Sequence, residues 1–177
     1  EYYHKENMIA EIIKQYDTFL NIKDEMGNFC YQMKDIGILT PTNSVSTSGV
    51  TKINEALREE FNPYNKQNAF GKWRINDRVM CTKNSYHILT SIGFGVFNGD
   101  IGTIQHVHQD NKGEYFYAVN FDDGKRAVIG NKTMDQIMTL AYAITIHKSQ
   151  GSEYPVVILA INTDHYIMLK RNLLYTA

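Results

Sequence analysis

Between Leu140 and Leu159 the chain reads LAYAITIHKSQGSEYPVVIL, and few folds accommodate that order of residues. An apolar run with good helix formers, at 140–146, leads into a dense polar loop at 147–153. Val156–Leu159 is a β-branched run typical of a buried parallel strand, and a proline precedes it where a missing N–H costs little. A helix, a polar loop and a buried strand in succession predict half of a βαβ unit, whose polar loop collects ligands. A solvated turn that binds nothing is the alternative.

A similar order of elements occurs earlier in the chain. Residues 36–41 are a short apolar strand that stops at a proline, and a polar run that includes Thr42 and Asn43 follows it. Thr51–Phe61 has apolar residues on one face and predicts an amphipathic helix, and Glu1–Leu20 carries a comparable stripe. Strand, polar loop and helix form a second βα unit, and capping of the helix is one role that the polar loop can have.

The periodicity changes between these two α/β stretches. A polar segment rich in turn residues, 62–71, predicts a linker, and several segments after it read as strands. Residues 87–95 predict an extended loop. The sequence therefore predicts a small antiparallel barrel over 72–133, inserted into an α/β lobe formed by 1–71 and 134–177. The predicted strands are Arg78–Lys83, Asp100–His108, Tyr115–Phe121 and Arg126–Ile129.

Charge and cysteine content narrow the class of protein. A net charge of -1 and a pI of about 6.7 exclude a strongly basic DNA-coating protein, although a groove fed by a few lysines agrees with them. Cys30 and Cys81 have no metal-ligand spacing. Either one disulfide or two reduced thiols fits the sequence, and reduced thiols agree better with a cytoplasmic protein. No apolar run approaches the ~20 residues that span a bilayer, so we expect no membrane association.

Several stretches resemble one family of enzymes. The loop IHKSQGSEYP (146–155) resembles motif V of RecD/TraA-type superfamily 1 DNA helicases, which include the exodeoxyribonuclease V alpha subunit. ILTPTN (38–43) resembles motif IV, and residues 168–177 resemble the run that leads into motif VI. NGDIG (98–102) and FDDGK (121–125) resemble the SH3-like barrel inserted in the second motor lobe of these enzymes. The resemblance implies an α/β fold: a RecA-like lobe of the P-loop-NTPase type with an inserted SH3-like β-barrel.

The resemblance also implies a division of roles within a larger polypeptide. The sequence contains no GxxxxGK[ST] phosphate loop, and it stops at Ala177, before the arginine finger that follows motif VI in this family. We therefore expect a C-terminal fragment, inactive alone, of an ATP-dependent DNA helicase that acts in DNA repair and recombination. The fragment would form one wall of the ATP cleft and part of the single-stranded DNA track. The parent would use ATP and Mg²⁺ in the cytoplasm, carry a first RecA-like lobe in cis, and could associate with nuclease or helicase subunits.

The resemblance assigns a nucleotide-binding role to part of the motif V loop. Glu153 is an acceptor-only carboxylate that suits a ribose hydroxyl, and capping of a helix is its alternative role. Gly151 lets the backbone approach a ligand closely, and the amide of Gln150 can couple the nucleotide to the DNA. The nucleotide-binding set implied in this way is Gln150, Gly151, Glu153, Thr42, Asn43 and Arg171, and Tyr175 is a further motif VI position.

Side chains that donate hydrogen bonds predict the contacts with DNA, because phosphate oxygens dominate nucleic-acid interfaces. In and beside the motif V loop these residues are Thr145, His147, Lys148 and Ser149. A second patch, on the barrel, adds donors and a ring that could stack on a base, a contact worth about 1–3 kcal/mol. This patch comprises Lys83, Asn84, Tyr86 and Asn98, and an ordinary barrel rim is the alternative interpretation.

Two classes of function follow. In the first, the chain is the second motor lobe and the barrel of a RecD/TraA-type helicase. In the second, it is a non-catalytic SH3-like protein-binding module on an α/β scaffold. The dense polar loop at 147–153 favours the helicase, because a protein-binding module has no use for that set of donors and acceptors.

Overall fold

A computed structural model describes residues 8–41 and 49–161 of the 177-residue chain. Two compact units divide the chain, and we call residues 1–60 with 142–177 the parallel unit and residues 61–141 the antiparallel unit. The antiparallel unit extends beyond the predicted 72–133 insertion at both ends. In chain order the elements are α1 (Met8–Leu20), β1 (Ile36–Thr40), α2 (Val50–Phe61), β2 (Ala69–Phe70), β3 (Trp73–Arg74), β4 (Arg78–Cys81), β5 (Ser85–Thr90), β6 (Gly93–Val96), β7 (Ile101–Gln109), β8 (Tyr115–Phe121), β9 (Arg126–Gly130), α3 (Asn131–Ile137), β10 (Met138–Leu140), β11 (Ala143–Thr145) and β12 (Val156–Leu159).

The two helices of the parallel unit each bury one face. Their apolar residues recur at spacings of three or four, which brings them onto one side of a helix. The predicted amphipathic helices are therefore confirmed over the described residues, while 1–7 lie outside them. The inward residues are Met8, Ile12 and Tyr16 in α1 and Ile53, Asn54 and Leu57 in α2.

A three-stranded parallel sheet organises this unit, in the order β11-β1-β12. Ile38 of β1 lies opposite Ala143 on one side and Ile158 on the other. All five residues of β1 are buried. The parallel α/β architecture predicted from the sequence is confirmed.

Residues 140–146 do not form the helix that was predicted for them. α3 ends at Ile137, and two short strands, β10 and β11, follow it. Ile144 and Thr145 are β-branched and lose side-chain freedom in a helix. Each short strand has a ladder partner, β4 for β10 and β1 for β11, so long-range pairing overrides the local helix propensity.

β12 lies at an edge of the described sheet and is not a fully buried central strand. Val156 and Ile158 are buried, whereas Val157 and Leu159 are exposed. The parallel pairing with β1 agrees with the prediction. The β-branched run could not reveal that only one face of the strand would be covered.

The antiparallel unit is a curled seven-stranded sheet in the order β10-β4-β7-β8-β9-β5-β6. β7, β8 and β9 form its central meander, and the four predicted strands are confirmed as β4, β7, β8 and β9. Residues 87–95, predicted as a loop, instead belong to a hairpin of β5 and β6 in which Leu89 pairs with Phe94. β10 and β6 end the sheet and do not pair with each other, so the sheet is a half-barrel.

The core of the antiparallel unit surrounds Trp73, the single tryptophan of the chain. Its side chain is fully buried, and its indole Nε1 donates a hydrogen bond of 2.8 Å to Asp135 Oδ1. An indole N–H that is satisfied in this way avoids the penalty of an unpaired buried donor. The other buried core residues are Val79, Cys81, Val96, Ile104, Tyr117, Val119, Phe121, Ala127, Ile129, Met134, Ile137 and Met138.

Residues 62–71, predicted as a linker, belong to the antiparallel unit, and Asn62 binds them to it although most of the segment is exposed. Asn62 is buried, and its Nδ2 donates to the carbonyl oxygen of Ile75 at 2.9 Å and to Asp77 Oδ1 at 3.0 Å. Its own carbonyl oxygen accepts from Arg74 Nη1 at 2.8 Å. Asparagine is common in turns, but here its amide joins a buried network. These bonds explain why the unit begins earlier than the change in periodicity indicated.

Cys30 is exposed and Cys81 is buried, and both are free thiols, so the reduced alternative holds in the structure. In the part of the chain that the structure describes, no helix combines the length and the apolar character needed to cross a membrane.

Candidate functional site

The loop between β11 and β12, residues 146–155, is a series of hydrogen-bonded turns. The amide nitrogens of Lys148 and Ser149 lie 2.9 and 3.1 Å from the carbonyl oxygen of Thr145, and Ser152 N lies 2.9 Å from Ser149 O. Gly151 has φ +86, a left-handed conformation that glycine adopts without strain. The backbone is therefore fixed largely by its own hydrogen bonds.

Side chains of this loop separate into buried and exposed groups. Thr145 and Ser149 are buried, and Ser149 Oγ donates to the carbonyl oxygen of Ile146 at 2.8 Å. Lys148 is half-buried. The exposed residues are His147, Gln150, Gly151, Ser152 and Glu153. In this loop the predicted nucleotide-binding residues are therefore accessible, whereas two of the four DNA contacts predicted in and beside it, Thr145 and Ser149, are buried.

A buried asparagine holds the strand that leads into the loop. Asn54 Nδ2 donates to the carbonyl oxygen of Ala143 at 2.9 Å, and the amide nitrogen of Ala143 donates to Asn54 Oδ1 at the same distance. The side-chain amide therefore pairs with β11 as a neighbouring strand would. The sequence predicted α2 as an amphipathic helix and gave Asn54 no role; a polar residue between Ile53 and Leu57 near the apolar stripe was the available signal.

The far end of the loop is seated on a glycine of β1. A Cβ atom built on Gly37 would lie 2.6 Å from Cδ2 of Tyr154, so the Tyr154 ring rests directly on the strand backbone. Only glycine leaves this space, because real Cβ atoms do not approach other atoms so closely. Tyr154 directly follows Glu153, and the contact fixes the chain beside that carboxylate.

The start of the loop and the end of β1 lie side by side. The amide nitrogen of Ile146 donates to the carbonyl oxygen of Thr40 at 3.0 Å. The stretches that resemble motif IV and motif V therefore meet at the carboxyl ends of parallel strands, where ligands of open α/β sheets collect. Thr42, Asn43, Arg171 and Tyr175 lie outside the described residues.

On the antiparallel unit, the predicted patch of Lys83, Asn84, Tyr86 and Asn98 forms one exposed cluster. Asn84 Nδ2 lies 3.3 Å from the Tyr86 hydroxyl oxygen, and Asn84 Oδ1 accepts from the Asn98 amide nitrogen at 2.9 Å. Lys83 is exposed, and its carbonyl oxygen lies 2.9 Å from Cys81 Sγ. The structure brings together residues that are up to fifteen positions apart in sequence.

Phe97 belongs to the same cluster and was missed by the sequence analysis. Its ring meets that of Tyr86 edge to face, with centroids 5.7 Å apart and an interplanar angle of 68°. Tyr86 is 63% exposed and Phe97 39%. Phe97 lies outside the predicted strands, and its position beside the turn at Asn98 was the only signal in the sequence.

A partly buried ion pair lies beneath this cluster. Lys125 Nζ lies 2.6 Å from Asp100 Oδ2 and 3.0 Å from Asp123 Oδ2. Burial opposes the charge of Lys125, but hydrogen bonds to Asp100 and Asp123 outweigh it, and the pKa of Lys125 lies above its usual value. The ammonium group is therefore charged at neutral pH.

The described residues contain no cluster of three or more His, Cys, Asp and Glu side chains suited to a metal ion. Mg²⁺ prefers carboxylate and water ligands and usually keeps one or two carboxylates with substrate phosphates. The described part of the chain thus offers no ready-made set of protein ligands for it.

Comparison with protein families defines the class as helicase-like. Residues 53–121 match the ATP-dependent RecD-like DNA helicase SH3 domain, and residues 140–177 match the UvrD-like helicase C-terminal domain. The first match covers α2 and most of the curled sheet, and the second covers the loop between β11 and β12.

Individual relatives agree with these matches. The ATP-dependent RecD2 DNA helicase of Deinococcus radiodurans is 31% identical over 144 residues, which cover 80% of this chain and 18% of that protein. The RecBCD enzyme subunit RecD of Mycolicibacterium smegmatis is 28% identical over 136 residues, covering 73% and 21%. The chain is a relative of the RecD-type superfamily 1 DNA helicases. It spans about a fifth of the length of these two curated relatives.

A solved structure of DNA unwinding at forked double-stranded DNA by two coordinating Pif1 helicases shows a weaker likeness. It is 19% identical, with a TM-score of 0.41 over 88% of this chain and 40% of that chain. A likeness of this size does not decide the fold.

Proposed function

We propose that the chain is part of an ATP-dependent DNA helicase of RecD type. In this proposal the parallel unit is the second RecA-like lobe, and the antiparallel unit is its inserted SH3-like barrel. The main support is the loop between β11 and β12, on which an exposed carboxylate, Glu153, follows exposed donors on a backbone fixed at both ends. A solvated turn without a ligand would not require the hydrogen bonds of Asn54 to Ala143 or the contact of the Tyr154 ring with Gly37.

The carboxyl end of this loop contributes one wall of an ATP cleft. The carboxylate of Glu153 repels phosphate and accepts hydrogen bonds, so it faces a ribose hydroxyl. Gln150 and Gly151 lie between Glu153 and the donors, and the open space around Gly151 allows the backbone to approach a ligand. Thr42, Asn43 and Arg171 complete the proposed nucleotide contacts.

The amino end of the loop contributes to a track for single-stranded DNA. His147 and Lys148 present donors that suit phosphate oxygens, and Lys148 also carries charge. Because Thr145 and Ser149 are buried, we assign them the role of shaping the turn from beneath. The cluster of Lys83, Asn84, Tyr86 and Asn98 forms a second contact, in which the Tyr86 ring stacks on a base.

The remaining parts belong to the parent polypeptide. It supplies a phosphate loop and a first RecA-like lobe, uses ATP with Mg²⁺, and works in the cytoplasm in DNA repair and recombination, where nuclease or helicase subunits are possible partners. The 177-residue chain alone does not hydrolyse ATP, since it contains no phosphate loop.

Direct titration of the 177-residue chain with a fluorescein-labelled oligothymidine strand tests the DNA contacts. At fixed salt, we expect Lys148→Ala and Tyr86→Ala each to weaken binding, and the Tyr86 change to cost about fivefold or more because one stacking contact is lost. His108→Ala is the matched surface control, since His108 is exposed on β7. If both variants bound the strand as tightly as the unmutated 177-residue chain and the control do, the proposed DNA track would be contradicted.

A protein-binding role is the second candidate, and the β5–β6 hairpin favours it. Leu89, Ile92, Phe94 and Val128 are large apolar residues that are between 63% and 75% exposed. Leu89 lies opposite Phe94 in the hairpin. Exposed apolar patches commonly mark interaction sites. A chain that failed to bind the oligothymidine strand but self-associated, and lost that association on Leu89→Ser with Phe94→Ser, would support this candidate.

A further inference from the structure

We propose that Phe97 is a second base-stacking ring beside Tyr86, and that the partly buried pair of Lys125 and Asp100 positions it. This inference rests on the DNA contact proposed for the antiparallel unit. The ligand is single-stranded nucleic acid bound without sequence preference, because every base has a face that can stack on a ring.

The two rings form a preorganised pair. Tyr86 is held by the edge-to-face contact with Phe97 at 5.7 Å and by the 3.3 Å approach of Asn84 Nδ2 to its hydroxyl. Asn84 in turn accepts a hydrogen bond from the amide nitrogen of Asn98, the residue that follows Phe97. A ring fixed before binding loses less conformational entropy when a base stacks on it.

Phe97 is positioned by contacts on its backbone and its ring. Asp100 Oδ2 accepts a hydrogen bond of 2.6 Å from the Phe97 amide nitrogen, and the Asp100 amide nitrogen donates to Phe97 O at 3.0 Å. The ring crosses Gly95, where an added Cβ would lie 2.5 Å from Phe97 Cζ. Gly95 has φ +108, so a side chain there is excluded by both conformation and space.

Lys125 connects this turn to the hairpin between β8 and β9. Its Nζ contacts the same Asp100 oxygen that receives the Phe97 amide, and it lies 5.6 Å from the centroid of the Phe97 ring. The Lys125 side chain is only 7% exposed. It therefore contacts the ring from within the unit and is not itself available to a phosphate.

A buried ion pair contributes little net stability compared with apolar residues of the same size, because both charges lose water. Its hydrogen bonds do define one geometry, and here that geometry includes the Phe97 backbone and ring. Asp123 is 52% exposed and shares Lys125 at 3.0 Å, so it is the weaker of the two partners. The structure thus assigns the positioning role chiefly to Asp100 and Lys125.

The stretch that carries the two rings adds no negative charge, and the nearby carboxylates of Asp100 and Asp123 are both paired with Lys125. Residues 83–98 contain no Asp or Glu, while Lys83 is exposed within the cluster. A phosphate that follows a stacked base therefore meets a cation and no nearby carboxylate from this stretch. Aromatic rings with interspersed donors are the usual composition of surfaces for single strands.

A double-mutant cycle on the 177-residue chain tests the inference, with binding to a fluorescein-labelled oligothymidine strand as the readout. We expect Phe97→Leu to weaken binding about fivefold or more through the lost stacking contact. Lys125→Met should weaken it as well, but should add little in the Phe97→Leu background, because it acts through the ring. The salt dependence should stay unchanged in Lys125→Met, because no phosphate contact is removed.

Lys112→Met is the matched control, since Lys112 is an exposed lysine on the β7–β8 turn. Trp73 emission reports whether each variant keeps its core; if Lys125→Met does not, Asp100→Asn replaces it in the same cycle. The inference would be overturned if Phe97→Leu bound the strand as tightly as the unmutated chain. It would also be overturned if Lys125→Met weakened binding by the same factor with and without Phe97→Leu. If Tyr86→Ala also left binding unchanged, the DNA contact of the antiparallel unit would itself be wrong. A normal Tyr86→Ala defect beside an unaffected Phe97→Leu would overturn the stacking role of Phe97 and leave the proposed DNA contact of the antiparallel unit standing.

Discussion

Asn54 does with one side chain what a neighbouring strand does with its backbone. Its amide satisfies both the N–H and the C=O of Ala143 at 2.9 Å in a buried setting. The other side of β11 pairs with β1. The strand that enters the candidate nucleotide and DNA loop is therefore held on both sides.

Replacing this amide should loosen β11 specifically. Asn54→Ala leaves two buried backbone groups without partners, at a cost of about 1–3 kcal/mol for each unsatisfied group. In Asn54→Ala, we expect the amide hydrogen of Ala143 to exchange with solvent markedly faster than in the unmutated 177-residue chain. Glu55→Ala, an exposed neighbour on α2, is the control and should change stability by no more than about 0.5 kcal/mol. If the Ala143 amide hydrogen of Asn54→Ala exchanged no faster, the role of Asn54 in holding β11 would be contradicted.

Tyr117 makes the antiparallel unit sensitive to alkali. Its hydroxyl oxygen lies 2.8 Å from Phe70 O and 3.1 Å from Asn131 Oδ1, and burial, with Asp135 and Tyr115 nearby, raises its pKa to about 12. The unfolded chain loses this proton near pH 10, so the folded unit binds more protons between about pH 10 and 12 and loses stability as pH rises there.

Urea unfolding followed by Trp73 emission measures this effect, because Trp73 lies in the same core. The urea concentration at half-unfolding of the unmutated chain should decrease as the pH rises from about 10 to 12, and this decrease should be smaller in Tyr117→Phe. Lys125 adds to the fall in both proteins. Its raised pKa contributes stability that is complete below the ordinary lysine value and is lost as pH rises through the folded value. An equal decrease in Tyr117→Phe would show that the tyrosine proton is not responsible.

Helices and strands that bury one face were predictable from the spacing of their apolar residues. Strands that form only because a distant strand pairs with them were not. The alternation of Tyr115–Phe121 predicted β8 with its bounds, because each inward side chain reads as apolar. The apolar run at 140–146 carried no such signal, and its strands depend on ladders to β4 and β1. The hairpin of β5 and β6 was missed because glycines at positive φ, Gly93 and Gly95, break the alternation.

The candidate site divides in the same way. Side chains whose chemistry is visible in the sequence, such as Glu153 and Tyr86, are exposed as a ligand requires. The residues that hold them were not predictable, since Asn54 and Lys125 act through partners 89 and 25 positions away. Polar residues near an apolar stripe indicate such roles only after the partner is known.

The antiparallel unit, residues 61–141, lies in the sequence between the two segments of the parallel unit, 1–60 and 142–177. We propose that it is an insertion that can be removed. Joining Glu60 to Tyr142 with a short Gly/Ser linker should leave a folded parallel unit, because its core residues lie within its own segments. Far-UV circular dichroism and cooperative urea unfolding are the measurements. Complete loss of both would reject the insertion, and the isolated segment 61–141 provides the complementary sample.

In the proposed function, the loop between β11 and β12 contacts nucleotide at one end and DNA at the other. Steady-state ATP hydrolysis by the full-length parent helicase, with and without single-stranded DNA, tests it in two variants. Glu153→Ala should weaken ATP use while DNA affinity at fixed salt stays near that of the parent. His147→Ala should lose DNA stimulation and weaken DNA binding while basal hydrolysis persists. Glu25→Ala and His108→Ala, both at exposed sites, should match the parent. Indistinguishable defects in Glu153→Ala and His147→Ala would contradict the claim.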